Sequence, residues 1–196
     1  MDKYLQSCKS VFWKKVFEAE LDYILRQLKG AKDVLSVGCG PAIIETGLAE
    51  YGFNVTGLDV SKEALGQAPS SIRTVVGPAE KMDFANRSFD AVIYVASIQF
   101  IERYKEAVKQ SARVLRPGGK ILIMLLNPES DFFREKTEEP DSYINKIKHT
   151  NLMEIEDVIA KYFSIKTEYF LGIKGTEMFQ SRDSDLASLY IIKGKL

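Results

Sequence analysis

The stretch Val34-Leu35-Ser36-Val37-Gly38-Cys39-Gly40-Pro41-Ala42 constrains this chain more than any other. An apolar run of strand length ends in two glycines, and a second run, Val55 to Leu58, ends in Asp59. Residues without a Cβ let a ligand lie against the backbone, and a following helix turns its unpaired N–H groups toward the same place. A carboxylate at the end of the next strand, roughly twenty residues on, can accept hydrogen bonds from both hydroxyls of a ribose. The spacing predicts a nucleotide-binding α/β half-fold. A dinucleotide fingerprint wants a small residue three positions after the second glycine, where Ile43 stands, and this speaks against a nicotinamide cofactor.

Three further runs repeat the theme: Thr74 to Val76, Ala91 to Val95 and Ile121 to Leu126. They are apolar at nearly every position rather than at alternate ones, the pattern of strands covered on both faces, which predicts a parallel sheet between helix layers. Helices fit between them at Ile43 to Tyr51, Ser61 to Gln67 and Ile101 to Leu115. Arg116-Pro117-Gly118-Gly119 then predicts a tight turn into the next strand.

Upstream, Val11, Phe12, Val16, Phe17, Leu21, Ile24, Leu25 and Leu28 recur at helical spacing up to Gly30, an amphipathic helix at the N-terminal side of the core. Downstream, Asn127 to His149 is polar and broken by Pro128 and Pro140, too long for a plain connector and expected as an insertion over a site. Asn151, with Glu154 three residues on, caps a helix to Tyr162. Ser164 to Leu171 and Leu186 to Lys193, with no helix between them, predict an antiparallel pair at one sheet edge. The expected organisation is one domain over 1–196: an N-terminal lid helix (1–30), a cofactor-binding core (31–126), an insertion (127–150), and a C-terminal helix and strand pair (151–196).

Lys plus Arg (27) equals Asp plus Glu (27), so the overall charge calls for no polyanionic partner and no nucleic acid is expected. Met1 to Ser10 lacks the apolar core of a signal peptide, and no apolar run approaches the ~18 residues of a membrane span, so a cytoplasmic protein is expected. Cys8, Cys39 and the lone His149 have no metal-ligand spacing, so no metal site is expected.

In order and spacing, four segments resemble the class I S-adenosylmethionine-dependent methyltransferases, in particular those acting on small molecules, quinones and lipids. They are Val34 to Ala42; Gly57-Leu58-Asp59-Val60-Ser61; Gly77-Pro78-Ala79-Glu80-Lys81-Met82-Asp83-Phe84 with Ser88-Phe89-Asp90-Ala91-Val92; and Arg113-Val114-Leu115-Arg116-Pro117-Gly118-Gly119-Lys120. The resemblance implies a Rossmann-like, doubly wound, mostly parallel seven-stranded sheet with an antiparallel C-terminal edge pair and helices on both faces. It implies S-adenosyl-L-methionine as cofactor, S-adenosyl-L-homocysteine as product, and a small-molecule acceptor attacking the methyl group in line. By position, Gly38, Cys39 and Gly40 would line the methionine part and Asp59 would hold the ribose. Val60 would pack on adenine, the Ala79 N–H would bond an adenine nitrogen, and Val95, Ala96 and Ser97 would floor the site. Three positions depart from the family pattern. Ser36 stands where an acidic residue usually meets the ammonium group, Ala42 replaces a third glycine, and Pro78 replaces an acidic partner of the adenine amine, so that contact comes from Glu80 or water, or is absent.

Acceptor-side candidates are Gln99, after the fourth strand, Asn127, after the fifth, and His149 as a general base; Tyr94, Phe132, Phe133, Tyr143 and Trp13 are aromatic candidates for pocket or core. Cys39 is read as a small residue under the ligand rather than as a nucleophile. Two other readings compete: a non-catalytic, methyltransferase-like binding subunit, which Ser36 and Pro78 favour, and an NAD(P)-dependent oxidoreductase, which Ile43 opposes.

Overall fold

In the computed structural model, residues 10–196 are described; Cys8 and the expectation for the N-terminal segment up to Lys9 lie outside them. Ser10 caps α1 (Val11–Gln27), its hydroxyl accepting the Trp13 N–H. The order then runs β1 (Asp33–Val37), α2 (Ile43–Glu50), β2 (Asn54–Asp59), α3 (Lys62–Leu65), β3 (Arg73–Val76), β4 (Phe89–Val95), α4 (Tyr104–Val114) and β5 (Leu115–Leu126). It ends with α5 (Asp131–Glu138), α6 (Leu152–Ala160), β6 (Ser164–Lys174), β7 (Glu177–Phe179) and β8 (Ala187–Lys195), while short 3-10 turns occupy Ala79–Lys81, Ile98–Phe100 and Tyr143–Lys146.

One eight-stranded sheet has the order β3-β2-β1-β4-β5-β8-β6-β7, parallel from β3 to β5 and antiparallel beyond. The expected doubly wound fold is there, with one more strand than anticipated. Polarity marked Gly172 to Asp185 as a connector, but β6 runs on to Lys174 and turns back through β7, whose three residues, Glu177, Met178 and Phe179, are too short a run in a polar segment to show a period.

The continuous apolar runs resolve into two faces. Leu35, Val92, Tyr94, Ile121 and Ile123 pack with Tyr104 and Val108 of α4 and Ile155 and Ile159 of α6. Val34, Ala91, Ile93, Leu122 and Met124 pack with Val16 and Ile24 of α1, Ile44 and Leu48 of α2, and Phe132 of α5. Alternate residues are thus buried on opposite sides, which is why the runs show no polar alternation. Asn151 caps α6 by accepting the Glu154 N–H, as its sequence implies.

Two local expectations change. The Pro117-Gly118-Gly119 segment is not a separate turn but a bulge inside β5: pairing jumps from Phe89↔Leu115 to Ala91↔Lys120, with Gly118 at φ +74°. Proline offers no N–H to the ladder and the glycine takes the left-handed conformation, so the strand swells and resumes. The helix expected at Ser61 to Gln67 is a single turn, capped by the Ser61 hydroxyl. Tyr94 belongs to the core, its hydroxyl 2.7 Å from that of Ser111.

Candidate functional site

A cavity of about 810 Å³ opens at the C-terminal ends of the strands, within the ~300–1,000 Å³ range of small-molecule sites. Its wall includes every residue that the resemblance assigned to the cofactor: Ser36, Gly38, Cys39, Gly40, Asp59, Val60, Ala79, Glu80, Val95 and Ala96. The bend after β1 is made by Gly38 at φ +73° and Gly40 at φ +53°, and Ala42 follows in the left-handed region at φ +60° before α2 starts. A Cβ on Gly38 would stand 2.5 Å from the Ser97 Cβ, whereas one on Gly40 would meet nothing within 4 Å. Gly38 is therefore required for packing, and Gly40, which lines the cavity, leaves open space beside it. Ser97 is itself tied to the bend, its hydroxyl donating to the Val37 carbonyl at 2.6 Å.

Asp59 and the bend form one unit. Its Oδ2 accepts the Gly40 N–H at 2.9 Å and its Oδ1 the Ser61 N–H at 2.8 Å. Each carboxylate oxygen keeps a further lone pair, so the group can accept two more donors in a fixed orientation. Val60 beside it is 69% exposed, a large apolar side chain presented at the cavity rather than buried in the core. Cys39 is packed over the bare Cα of Gly57, whose missing Cβ would lie 2.6 Å from its Sγ, and burial pushes its thiol pKa up. A thiol so held is neutral and poorly nucleophilic.

Ser36 has a partner that its sequence neighbours do not reveal. Its buried hydroxyl donates to the carboxylate of Glu45, from the first turn of α2 and also buried. Burial, opposed by that hydrogen bond, pushes the Glu45 carboxyl up to about 7. Both residues line the cavity. A second buried carboxyl, Glu20 of α1, lines it too. Sequence reasoning missed both. The available signal was a glutamate inside each apolar helical stripe: Glu20 four residues from Val16 and from Ile24, Glu45 between Ile44 and Leu48.

The three acceptor-side polar candidates are corrected by their surroundings. Gln99 is fully buried, its amide accepting the Leu126 N–H at 2.7 Å and donating to the Leu126 and His149 carbonyls at 3.1 and 3.3 Å. Asn127 is equally buried and donates to the Ser184 and Ala187 carbonyls at 2.7 and 2.8 Å. Neither is among the cavity-lining residues. His149 is not among them either; its Nε2 sits 3.0 Å from the Ile101 carbonyl and its ring lies against Tyr104. These polar groups close the backbone ends around the site, because a buried loop must pair its own N–H and C=O groups. Gln99→Leu is expected to lower stability by about 2–3 kcal/mol by stranding the Leu126 groups, read as a fall in Tm of roughly 4–12 °C in thermal unfolding. An unchanged Tm would contradict this role.

The aromatic candidates divide. Trp13 and Phe132 line the cavity with ring centroids 6.1 Å apart, and Tyr143, also in the wall, stacks on Phe100 at 6.2 Å. Phe133 packs in the core. Residues of the 127–150 segment, among them Phe132, Lys136 and Tyr143, thus form part of the cavity wall. Among the described residues no group of three His, Cys, Asp or Glu could hold a metal ion, and no helix is long and apolar enough to cross a membrane.

Residues 35–123 match a family model described as a methyltransferase domain. An uncharacterized protein of Methanocaldococcus jannaschii, MJ1123, is 27% identical over 180 residues, covering 90% of this chain and 83% of that protein. A ubiquinone biosynthesis O-methyltransferase of Alkalilimnicola ehrlichii is 34% identical over 125 residues, 58% of this chain and 51% of that one. The chain thus spans about half the length of this O-methyltransferase. Among solved structures, a SAM-dependent methyltransferase of Thermotoga maritima, described as a possible histamine N-methyltransferase, superposes with a TM-score of 0.82 at 19% identity, covering 98% of this chain and 94% of that one. That likeness concerns the fold.

Proposed function

Because the chain belongs to the class I S-adenosylmethionine-dependent methyltransferases, we propose that it seats S-adenosylmethionine at the Gly38–Gly40 bend and transfers its methyl group to a small-molecule acceptor held in the same cavity. The observation that carries this reading is the direct bond between the bend and Asp59, Gly40 N–H to Oδ2 at 2.9 Å, which fixes the sugar-gripping carboxylate beside the open side of Gly40. When bound, the cofactor supplies a methyl group already activated by a positive sulfur, open to in-line displacement by an acceptor lone pair. What remains for the protein is alignment and exclusion of water, worth about 7–11 kcal/mol when the geometry is right. Asp59 accepts the ribose hydroxyls, Val60 covers the adenine, and Ala79 and Glu80 meet its edge. The aromatic wall of Trp13, Phe132 and Tyr143 keeps water from the reacting atoms.

The acid that Ser36 lacks is supplied by Glu45. Its carboxylate, oriented by the Ser36 hydroxyl, receives the ammonium group of the methionine part. The ionised form binds a cation, and with its carboxyl at about 7 the fraction ionised falls as the pH drops below 7. S-adenosylhomocysteine affinity is therefore expected to weaken by up to about tenfold per pH unit below neutrality. In Glu45→Gln it should be lower at pH 8 and flat between pH 8 and 6. Calorimetric titration across that range checks it, and an unchanged profile in the variant counts against the assignment.

The whole reading is tested by thermal unfolding with S-adenosylhomocysteine or NADH at one hundred times the dissociation constant measured for the former. Linked binding then adds about 2.7 kcal/mol, roughly 5–11 °C in Tm, with S-adenosylhomocysteine and nothing with NADH. The reverse order would favour the oxidoreductase reading. Release of S-adenosylhomocysteine on incubation with S-adenosylmethionine and candidate acceptors separates the enzyme from a binding subunit.

A further inference from the structure

The buried stripe of α1 is Val16, Glu20, Tyr23 and Ile24, so a glutamate occupies a position where the helix period asks for an apolar side chain. Glu20 is 5% exposed, and its Oε2 is fully buried with no hydrogen-bond partner among the described residues. Folding alone gives no reason for it, since an unpaired buried acid costs stability that leucine or methionine would not. Yet Glu20 is one of the residues lining the cavity. Tyr23, three residues on, anchors α1 to β6 through a 2.6 Å bond to Glu168 and ring contact with Phe170, and Trp13 meets Phe132 of α5. The wall there continues through Leu126, Leu189 and Ile173, from the ends of β5, β8 and β6.

The charges of this wall have one sense at depth. Glu20 and Glu45 are buried within it, whereas its cations, Lys136, Lys146 and Lys148, are half-buried or exposed. Two of them are already engaged, Lys136 with Glu139 and Lys148 with Glu102. Among the described residues no arginine or histidine lines the cavity. Burial is the sole cause acting on the Glu20 carboxyl, and it raises its pKa to about 8. An anionic acceptor would therefore meet buried acids with no buried cation to offset them, a neutral one could at most share a hydrogen bond with the protonated Glu20 carboxyl, and only a cation would gain from its ionised form.

Resting on the methyltransferase reading, we propose that Glu20 is the anchor for the methyl acceptor and that this acceptor is a small molecule carrying a basic amine, whose N–H donates to the orphan Oε2. Binding an ammonium group there expels the proton of Glu20, and the pair is then charged, hydrogen-bonded and dry.

The test uses the chain saturated with S-adenosylhomocysteine and calorimetric titration of n-butylamine, 2-phenylethylamine and tryptamine, each beside its alcohol and carboxylate counterpart. In at least one size class the amine should bind at least about tenfold tighter than the alcohol, a charged hydrogen bond being worth ~1.5–3 kcal/mol, and the carboxylate should give no heat. The amine's affinity should rise from pH 6.5 to 8.5 as Glu20 loses its proton. Glu20→Gln, nearly isosteric, and Glu20→Met should both abolish the preference while leaving the S-adenosylhomocysteine dissociation constant unchanged. No preference for amine over alcohol, or a preference that survives both substitutions, overturns the proposal. So does a loss of S-adenosylhomocysteine affinity in Glu20→Gln, which would assign the carboxyl to the cofactor. Failure of the unaltered chain to bind S-adenosylhomocysteine would instead remove the reading beneath it.

Discussion

Asp59→Ala is expected to weaken S-adenosylhomocysteine binding by at least about a hundredfold. Two charged hydrogen bonds to the ribose hydroxyls are lost, each worth ~1.5–3 kcal/mol, and each 1.4 kcal/mol is a factor of about ten. The substitution also frees the N–H groups of Gly40 and Ser61, so the bend itself loosens. Asp59→Asn separates the two effects. Its side-chain carbonyl can still accept one of these N–H groups, so the bend should stay closer to its native form, while the charge that grips the sugar is gone. Binding by Asp59→Asn should fall between the other two proteins, with Tm close to that of the unaltered chain. Titration calorimetry on all three checks this, and equal affinities would show that the ribose is held elsewhere.

Glu20 carries the second large effect, on stability rather than affinity. Its folded carboxyl is raised from 4.5 to about 8 by burial. Between those values the folded chain holds a proton that the unfolded chain releases, so stability falls as pH rises through this window and levels off above it. Glu20→Gln removes that loss. The variant is expected to gain on the unaltered chain by up to about 4 kcal/mol between pH 5 and pH 8.5, at ~1.4 kcal/mol per pKa unit, or roughly 8–16 °C in Tm. Glu45 shifts in the same direction but is present in both proteins, so it cancels in the difference. Parallel stability profiles for the two proteins would show that Glu20 ionises as readily in the fold as in the open chain.

The parts of this molecule legible from sequence are those where one residue type is forced by local geometry. Gly38 and Gly40 have positive φ values, and Asp59 follows at the spacing of a single β-α-β step, so bend and carboxylate could be placed without coordinates. The four inner parallel strands, β1, β2, β4 and β5, were legible because burial on both faces leaves mostly apolar residues along them, whereas edge strand β3, with no buried residue, showed only as the short run Thr74 to Val76. What escaped notice depends on contacts between distant segments. Gln99 and Asn127 stand at strand ends where ligands often sit, yet their amides bond backbone groups 27 and 60 residues away. Nothing local distinguishes a ligand-facing amide from one that closes a loop. Glu45 was hidden because its hydrogen-bond partner, Ser36, lies across the bend, and nothing in the local sequence joins the two. Strand β7 is three residues long, Glu177-Met178-Phe179, too short to show a period, and the Pro117-Gly118 bulge carries the same residues as a turn.

Isothermal titration of the full chain with S-adenosylhomocysteine at pH 8 tests the central claim most directly. One molecule per chain should bind with a dissociation constant in the micromolar range, and the heat should vanish in Asp59→Ala at the same concentrations. Absence of heat with the unaltered, folded chain at millimolar ligand would contradict the seating of a methyl donor between the Gly38–Gly40 bend and Asp59.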